Sequence, residues 1–314
     1  MQDSGFDFYN NVSIKMYNLD QSIKYQLSVL EVLDPLTKRH CINVGNLCGR
    51  LCQRLKLNSD FTVYAIISGY LHDIGKSKVP YEILSKPDRL TKEEFEIMKK
   101  HTTYGYEICM KDAQLRPYAE GALNHHEALN GSGYPNGKTQ DEIPIIAKII
   151  RVADEYDALT TKRHYTTHIN ISKTLEDMIA ETKPENEKSL VALSALSENS
   201  QIGKISPYIL KCLFKIVIED TQYEIYLVDK YVQYLQENIK RLELIDHYNQ
   251  KMQATTKQKK RDYYKEGMEY LFTSKENFQN YHQILAEYRV ALDKNNDRIK
   301  RLYNEIELIK SLKI

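Results

Sequence analysis

The sequence predicts an all-α protein, in which a bundle of helices is followed by a long helical, coiled-coil-like C-terminal region. Up to about residue 218, apolar residues recur at the three- and four-residue spacing of a helix face, and no stretch alternates long enough to predict a strand. Beyond that point the composition shifts to Tyr, Lys, Glu, Asn and Gln, and the apolar spacings of three and four alternate. We therefore divide the chain into a polar N-terminal arm (1–20), a helical domain (21–218) and a C-terminal helical region (219–314).

Composition narrows the class of protein. The chain has 314 residues, 42% of them hydrophobic, which is enough for a substantial core. Its 44 basic and 43 acidic residues nearly cancel, so no overall basic field indicates a nucleic acid polymer as partner. No window approaches ~18 uncharged apolar residues and no signal peptide is evident, so we expect no membrane association and a cytoplasmic location. The five scattered cysteines lack CxxC spacing and are expected to be reduced thiols.

The first two helices are predicted on either side of Asp34. The apolar residues before it predict a helix that ends near Pro35; they are Ile23, Leu27, Leu30 and Leu33. Thr37 is expected to cap the second helix, which carries His40 in its first turns. The apolar positions of this second helix are Val44, Leu47, Leu51 and Leu55.

Later helices carry further histidines and acids. The segment from Phe61 to Leu71 has an apolar face that includes Val63 and ends directly before His72 and Asp73. A capping box, Thr91-Lys92-Glu93-Glu94, opens a helix that bears His101 and continues to about Met110. The remaining helices are predicted from Arg116 to Asn124, from Ile145 to Thr160, from Ser172 to the residue before Pro184 and from Tyr208 to Ile218.

The C-terminal region contains two apolar seams. One runs from Ile225 to Leu242, and the longer one runs from Phe278 to Ile309, roughly 47 Å at 1.5 Å per residue. If the chain folds the two seams together, part of the longer one stays unpaired. We therefore predict a homodimer through the C-terminal helices, with docking to a different protein as the alternative.

Histidines and carboxylates on or beside apolar helices predict a metal site. A lone histidine is more often a core or surface residue, but five of the nine histidines fall on such segments together with two aspartates. These residues are His40, His72, Asp73, His101, His125, His126 and Asp154. Imidazole and carboxylate ligands without thiolate suit Fe, Mn or Zn, and a bridging carboxylate suits two metals a few ångströms apart.

A glycine-rich loop follows the double histidine. Taken alone, Gly131-Ser132-Gly133-Tyr134-Pro135 reads as a surface turn. Because it lies beside His125-His126, it becomes a candidate lip of the pocket. We expect Tyr134 and the backbone from Gly131 to Gly137 to line the entrance and hold a guanine base, with a purely structural loop as the alternative.

These motifs together resemble the HD-GYP domain family, a branch of the HD metal-dependent phosphohydrolases that act on cyclic dinucleotides. The resemblance covers about residues 20–218. The matching stretches are Asp34-Pro35-Leu36-Thr37-Lys38-Arg39-His40, His72-Asp73-Ile74-Gly75-Lys76, Ile97-Met98-Lys99-Lys100-His101, His125-His126-Glu127 with Gly131-Ser132-Gly133-Tyr134-Pro135, and Val152-Ala153-Asp154-Glu155-Tyr156-Asp157-Ala158-Leu159-Thr160.

The resemblance implies an all-α HD-domain bundle and assigns roles to residues. The seven candidate ligands named above are the implied metal ligands, with Asp73 bridging and Lys76 beside the bound phosphate. Asp73 and Lys76 are the implied catalytic residues. The implied substrate contacts are Gly133, Tyr134, Pro135, Asp157 and Arg163.

The chain departs from the family pattern at two places. Members with a third metal carry a Glu where this chain has Leu36, so we expect two divalent cations, Fe or Mn. Where the family usually supplies two basic groups, Arg163 is present but Thr166 and Thr167 stand at the second. Because the second basic group is missing, we expect either the affinity for the dinucleotide or the identity of the preferred dinucleotide to differ from the family pattern.

The function implied by the resemblance is that of a signalling phosphodiesterase. It would hydrolyse cyclic di-GMP to linear pGpG, or further to GMP, at a dinuclear centre. One alternative is a catalytically weak sensor or interaction module that binds a cyclic dinucleotide, which the missing basic group favours. Another alternative is an HD hydrolase of a different cyclic dinucleotide.

Overall fold

A computed structural model describes residues 19–160, 171–183 and 202–314 of the chain. Within them it has twelve α-helices, two short 3-10 helices, one isolated bridge and no strand, so the all-α prediction is confirmed. The helices are α1 (Gln21–Leu33), α2 (Pro35–Arg54), α3 (Ser59–Leu71), α4 (Tyr81–Leu84), α5 (Lys92–Lys99), α6 (His101–Lys111), α7 (Ala119–Asn124), α8 (Ile145–Thr160), α9 (Ile171–Glu181), α10 (Pro207–Ala254), α11 (Gln258–Leu271) and α12 (Tyr281–Ser311).

The described residues group into two compact units. The first contains the described residues up to Ile216 together with Leu312–Ile314, and the second is Val217–Ser311. The predicted N-terminal arm, residues 1–20, lies outside the described residues except for its last two. No helix in the described ranges has both the length and the apolar character needed to cross a membrane.

The start of α2 differs from the prediction. The capping residue is Asp34 and not Thr37: its carboxylate accepts the backbone N–H groups of Leu36 and Thr37, each at 3.1 Å. Pro35 takes the first helical position, where its missing N–H costs no hydrogen bond. The helix therefore begins earlier than expected, and His40 lies in its second turn.

Helices α2 and α3 cross at two glycines. A Cβ atom on Gly69 would lie 2.5 Å from Gly45 Cα, so only hydrogen atoms allow the backbones to approach this closely. The second half of α3 is buried on every side, whereas Val63 in its first half is 46% exposed, in contrast to the predicted apolar face. The crossing brings the end of α3 beside α2.

The predicted helix from Thr91 to Met110 is two helices. The capping box at its start is confirmed, since Thr91 and Glu94 each accept the other's backbone N–H. Helix α5 ends at Lys99, and His101 opens α6. A Cβ on Gly75 would meet the carbonyl oxygen of His101 at 1.9 Å, so this glycine lets the turn after Asp73 pack on the start of α6.

The second unit is built on a helix hairpin. The residues predicted as two separate segments, Tyr208–Ile218 and the first seam, lie in the single helix α10. Helix α12 runs antiparallel to it: Tyr281 OH contacts Asp246, Arg289 pairs with Glu243 and Arg298 pairs with Glu224. Met268 of α11 is buried in the same cluster.

This pairing covers part of the longer seam within the chain. Side chains of α10 are buried from Thr221 to Ile245, so the partner seam is longer than the sequence indicated. Contacts with α12 occur from Glu224 to Asp246, and they pair the longer seam within the chain from Tyr281 to Arg298.

Candidate metal centre

Seven side chains converge in the first unit, and they come from α2, the end of α3, the start of α6, the end of α7 and α8. Their ligand atoms form three overlapping groups, each within 4.8 Å. The groups are His101, His125 and His126; His40, His72 and Asp73; and His72, His125 and Asp154. The structure thus brings together every residue that the sequence nominated as a metal ligand.

Three of the histidines are oriented by the same kind of hydrogen bond. The ring nitrogen Nδ1 of His72 lies 2.7 Å from the carbonyl oxygen of Gly69, three residues earlier. His101 and His125 make the same contact with the carbonyl groups three residues before them, at 2.7 and 2.9 Å. A carbonyl only accepts, so Nδ1 must carry the proton and Nε2 is left as a free lone pair. Each ring is therefore fixed in the tautomer that binds a cation.

Asp73 lies between two sets of imidazoles. Its Oδ1 atom is 3.3 Å from His101 Nε2 and 3.9 Å from His125 Nε2. Its Oδ2 atom is 3.3 Å from His72 Nε2 and 3.8 Å from His40 Nε2, and it also accepts from Lys76. A carboxylate placed in this way can bridge two cations.

Asp154 closes the cluster from α8. Its Oδ1 is 3.0 Å from His40 Nε2 and 3.8 Å from His72 Nε2, while its Oδ2 is 4.0 Å from His126 Nδ1. Burial alone would raise the pKa of Asp154, but the hydrogen bond from His40 and the neighbouring histidines lower it below its ordinary value. The group is therefore an anion at neutral pH.

His40 is oriented differently from the other ligands. Its Nδ1 lies 2.7 Å from Asp157 Oδ2, and the second oxygen of Asp157 accepts from Asn43 at 3.0 Å. The carboxylate of Asp157 is buried and both oxygens are engaged. This arrangement is typical of a carboxylate that orients a metal-binding imidazole. The expected contact of Asp157 with substrate stays a prediction.

The spacing of Asp157 and Asn43 in the sequence indicates this role. Asp157 lies three residues after Asp154, and Asn43 lies three residues after His40. Residues three apart share a helix face, so each pair places a ligand and its supporting group side by side.

Protonation states favour cation binding. Burial lowers the pKa of His101 and, together with neighbouring histidines, lowers that of His125 well below its ordinary value. Burial also lowers the pKa of His126 to about 3. Burial would raise the pKa of Asp73, but Lys76 and the nearby imidazoles hold it well below its usual range. At neutral pH, His101, His125 and His126 are thus neutral imidazoles, and Asp73 is ionised.

Unpartnered atoms show that a cation fits this cluster. Among the described residues, the buried atoms His72 Nε2 and Asp73 Oδ1 have no hydrogen-bond partner. The Nε2 atoms of His101 and His125, both unprotonated, face each other at 3.2 Å. Buried lone pairs without a donor are costly, and a divalent cation satisfies all of them at once.

The cluster forms the floor of a groove of about 560 Å³. Lys76 lines it with three of the ligands, His40, His101 and His126. Burial would lower the pKa of Lys76, but the contact with Asp73 raises it, so the amine is protonated. Leu36 also lines the groove.

The glycine-rich loop is held against the cluster. Glu127 is buried, and its carboxylate accepts the backbone N–H groups of Asn136 at 2.7 Å and Lys138 at 2.9 Å. A Cβ on Gly133 would lie 2.2 Å from the nitrogen of Ala128, so this glycine packs on protein backbone.

Tyr134 is the loop residue that lines the groove. Its ring stacks on that of His126 with 4.7 Å between centroids, and the Lys99 amine lies 5.6 Å from the ring centroid. The Tyr134 ring therefore supports the candidate metal ligand His126 and also lines the groove. Contacts of Gly133 and Pro135 with substrate stay predictions, and the predicted contact of Arg163 lies outside the described residues.

Comparisons with known proteins relate the chain to cyclic dinucleotide enzymes. A family model described as the HD domain matches residues 25–185. The chain is 43% identical over 150 residues to a cyclic di-GMP phosphodiesterase of Thermotoga maritima, covering 45% of this chain and 41% of that protein. It is 33% identical over 197 residues to the 3'3'-cGAMP-specific phosphodiesterase 2 of Vibrio cholerae, covering 62% of this chain and 38% of that protein.

A solved structure also resembles the chain. The HDG"Y"P protein from Bdellovibrio bacteriovorus is 18% identical, with a TM-score of 0.44, and the match covers 62% of this chain and 61% of that one. The chain spans 41% and 38% of the lengths of the two phosphodiesterases described above.

Proposed function

The chain belongs to the HD domain family, and we propose on that basis that it is a metal-dependent phosphodiesterase that hydrolyses cyclic di-GMP to linear pGpG, or further to GMP. The observation that carries the proposal is the position of Asp73. Each of its oxygens faces a different pair of imidazoles, at 3.3 to 3.9 Å, on the floor of a groove. Such an arrangement suits two cations that share one phosphate.

The centre would hold two divalent cations, Fe or Mn. The residues that would hold them are His40, His72, Asp73, His101, His125, His126 and Asp154. When bound, the cations would supply Lewis-acid stabilisation of phosphoryl charge and a nucleophilic water at neutral pH. Leu36 offers no ligand for a third cation.

The side chains around the cluster have separate tasks. The ammonium of Lys76 lies in the groove and would stabilise negative charge on a phosphoryl oxygen of the substrate. Asp157 holds the proton of His40 at Nδ1, so that Nε2 stays directed at the cluster. Glu127 keeps the loop in place, and Tyr134 with it.

Hydrolysis is favoured over a sensor without activity for two reasons. All seven candidate metal ligands are present, and three of the histidines are held in the tautomer that binds a cation. The choice among cyclic dinucleotides is less constrained, since one similar protein is named for cyclic di-GMP and another for 3'3'-cGAMP. We propose cyclic di-GMP because the Thermotoga maritima protein has the higher identity, 43% against 33%.

The decisive experiment combines metal content with turnover. Protein loaded with Fe or Mn under reducing conditions is incubated with cyclic di-GMP, 3'3'-cGAMP and cyclic di-AMP, and products are followed by chromatography. We expect Asp73→Asn to lose bound metal and hydrolysis together, while Asp293→Asn, at an exposed position of α12, keeps both. Binding without hydrolysis would support the sensor instead, and normal turnover by Asp73→Asn would contradict the assignment.

Two further expectations concern the whole chain. We propose a cytoplasmic location, which the free, buried state of all five cysteines supports. The homodimer through the C-terminal helices stays a prediction, and it now rests on an exposed apolar face of α10. Tyr226, Leu227, Tyr231 and Tyr234 of α10 are each about half exposed, at 47 to 51%.

A further inference from the structure

One wall of the groove contains no metal ligand. It is formed by α4 and the segment that leads to α5, where four apolar side chains line the groove: Tyr81, Leu84, Pro87 and Leu90. No motif in the sequence singled out this segment. Apolar and aromatic side chains of this kind suit the face of a purine base. The phosphates of a cyclic dinucleotide would lie at the metal ligands and Lys76.

Lys86 is the one cation of this segment that lines the groove, since Arg89 is not part of its lining. Lys86 lines the groove, and its Nζ donates to both carboxylate oxygens of Glu94, at 2.8 and 2.6 Å. Glu94 is itself fixed, because it accepts the backbone N–H of Thr91 in the capping box. The lysine and glutamate side chains are only 26% and 28% exposed. The ammonium is therefore held in one place by a rigid partner.

The pairing decides what kind of ligand suits this cation. Together Lys86 and Glu94 carry no net charge, so the pair attracts a phosphate weakly and suits a neutral polar group. Two of the three ammonium protons are used by Glu94, which leaves one to donate. Guanine presents the acceptors O6 and N7 on one edge, and lysine is a common partner of both. Adenine presents an amino donor in place of O6, which a lysine cannot satisfy.

We propose that Lys86, with Tyr81, Leu84, Pro87 and Leu90, forms a guanine subsite of the groove. This inference rests on the proposed function, since it takes the substrate to be a cyclic dinucleotide. The apolar residues pack on one guanine of the substrate, and Lys86 donates to its O6 and N7 edge. The subsite makes the enzyme prefer a guanine over an adenine at this position.

The test compares two substrates that differ only in their bases. Rates and Michaelis constants are measured for cyclic di-GMP and cyclic di-AMP with the metal-loaded full chain and with Lys86→Met, Lys86→Arg and Lys78→Met. Lys86→Met should lower kcat/KM for cyclic di-GMP about tenfold, mainly through KM, and change that for cyclic di-AMP less than about twofold. Lys86→Arg should retain most of the preference.

The control and the contrary outcomes are defined by the structure. Lys78 pairs with Glu107 at 3.2 Å in the same unit and does not line the groove, so Lys78→Met should leave both substrates unchanged. If the Lys86 pair only holds the loop in place, Lys86→Met will weaken both substrates equally, and the subsite is then wrong. No change with either substrate overturns it as well.

Failure of the proposed hydrolysis is separable from failure of the subsite. If the metal-loaded wild type cleaves neither substrate, the proposed function falls, and equilibrium dialysis of the same variants with both dinucleotides decides the subsite. A selective loss of cyclic di-GMP binding in Lys86→Met supports it. Equal losses, or a wild type that binds neither dinucleotide, overturn it.

Discussion

At the scale of single residues, His40 has surroundings unlike those of the other ligand histidines. Burial would lower its pKa, but hydrogen bonds to Asp154 and Asp157 outweigh burial and raise it to about 9. Without a cation, His40 therefore carries a proton at neutral pH between two carboxylates. His126 in the same cluster stays neutral, because no comparably close carboxylate offsets its burial.

This difference predicts how the stability of the metal-free protein depends on pH. The folded pKa of His40 is raised from 6.5 to about 9, so its contribution is fully present below about 6.5 and is lost as pH rises through about 9. The free energy of unfolding should fall over this interval by up to about 1.4 kcal/mol per pH unit. Denaturant titrations in chelator at several pH values measure it. His40→Gln should flatten that slope, and an unchanged slope in the variant would refute the assignment.

Asp157 gives a second prediction at this scale. Replacing it with Asn removes the charge that holds His40 as a donor at Nδ1, so metal affinity should fall by about 10- to 100-fold. Metal titration of Asp157→Asn and of the exposed control Asp293→Asn measures this effect. A variant that keeps its metal affinity but shows a raised KM would return Asp157 to the substrate role that the family resemblance implies.

The sequence identified the ligands better than the residues that support them. The ligands stand in short motifs, such as His72-Asp73 and His125-His126, whose residue types already indicate cation chemistry. Supporting contacts join residues far apart in the chain: His40 and Asp157 are separated by 117 positions. Their pairing depends on the packing of α2 against α8, which periodicity does not encode.

At the scale of helices, the position of the site depends on close backbone contacts. Sequence periodicity located most helices, but it placed Val63 on the buried face of α3 and joined α5 to α6. Periodicity reports which residues are apolar, whereas burial here is set by where α3 crosses α2. Gly45 and Gly69 permit that crossing, and no apolar pattern marks a glycine contact.

The crossing yields a stability prediction. Gly69→Ala would place a Cβ 2.5 Å from Gly45 Cα and 2.9 Å from its nitrogen, in rigid backbone that cannot move aside. Separating α2 from α3 should cost about 2 kcal/mol or more and move His40 away from Asp73. Urea unfolding and metal titration should both detect it. Val63→Ala, at an exposed position of the same helix, should change stability by less than about 0.5 kcal/mol. Equal stability of the glycine variant and wild type would show that the helices adjust.

At the scale of the whole chain, the C-terminal region shows what a seam in the sequence can and cannot indicate. The spacing correctly indicated long helices that pair along apolar residues, as α10 and α12 do. The predicted length of α10 was too short, because the apolar residues around Ile216 were interpreted as the end of a separate helix, Tyr208–Ile218. A helix that continues through a change in composition leaves no terminating signal to read.

The question of the dimer therefore moves from the seam to a second face of α10. Tyr226, Leu227, Tyr231 and Tyr234 are 47 to 51% exposed and recur at spacings that place them on neighbouring turns. Tyr231 and Tyr234 stack on each other with 6.1 Å between centroids, which presents a broad aromatic surface to solvent. An exposed aromatic face can bury itself in a two-fold homodimer, in which the same patch of both subunits forms the interface.

Light scattering on the full chain tests this face directly. The wild type should have the mass of a dimer, and the double variant Leu227→Ser with Tyr231→Ser should have the mass of a monomer, since both lose apolar area at the contact. A matched control is Tyr263→Ser with Tyr270→Ser on α11, where the side chains are 64% and 89% exposed. The control should remain a dimer, because removing exposed tyrosines elsewhere does not affect the α10 face. A monomeric wild type would end the dimer prediction, whereas a double variant that stays dimeric would move the interface away from α10.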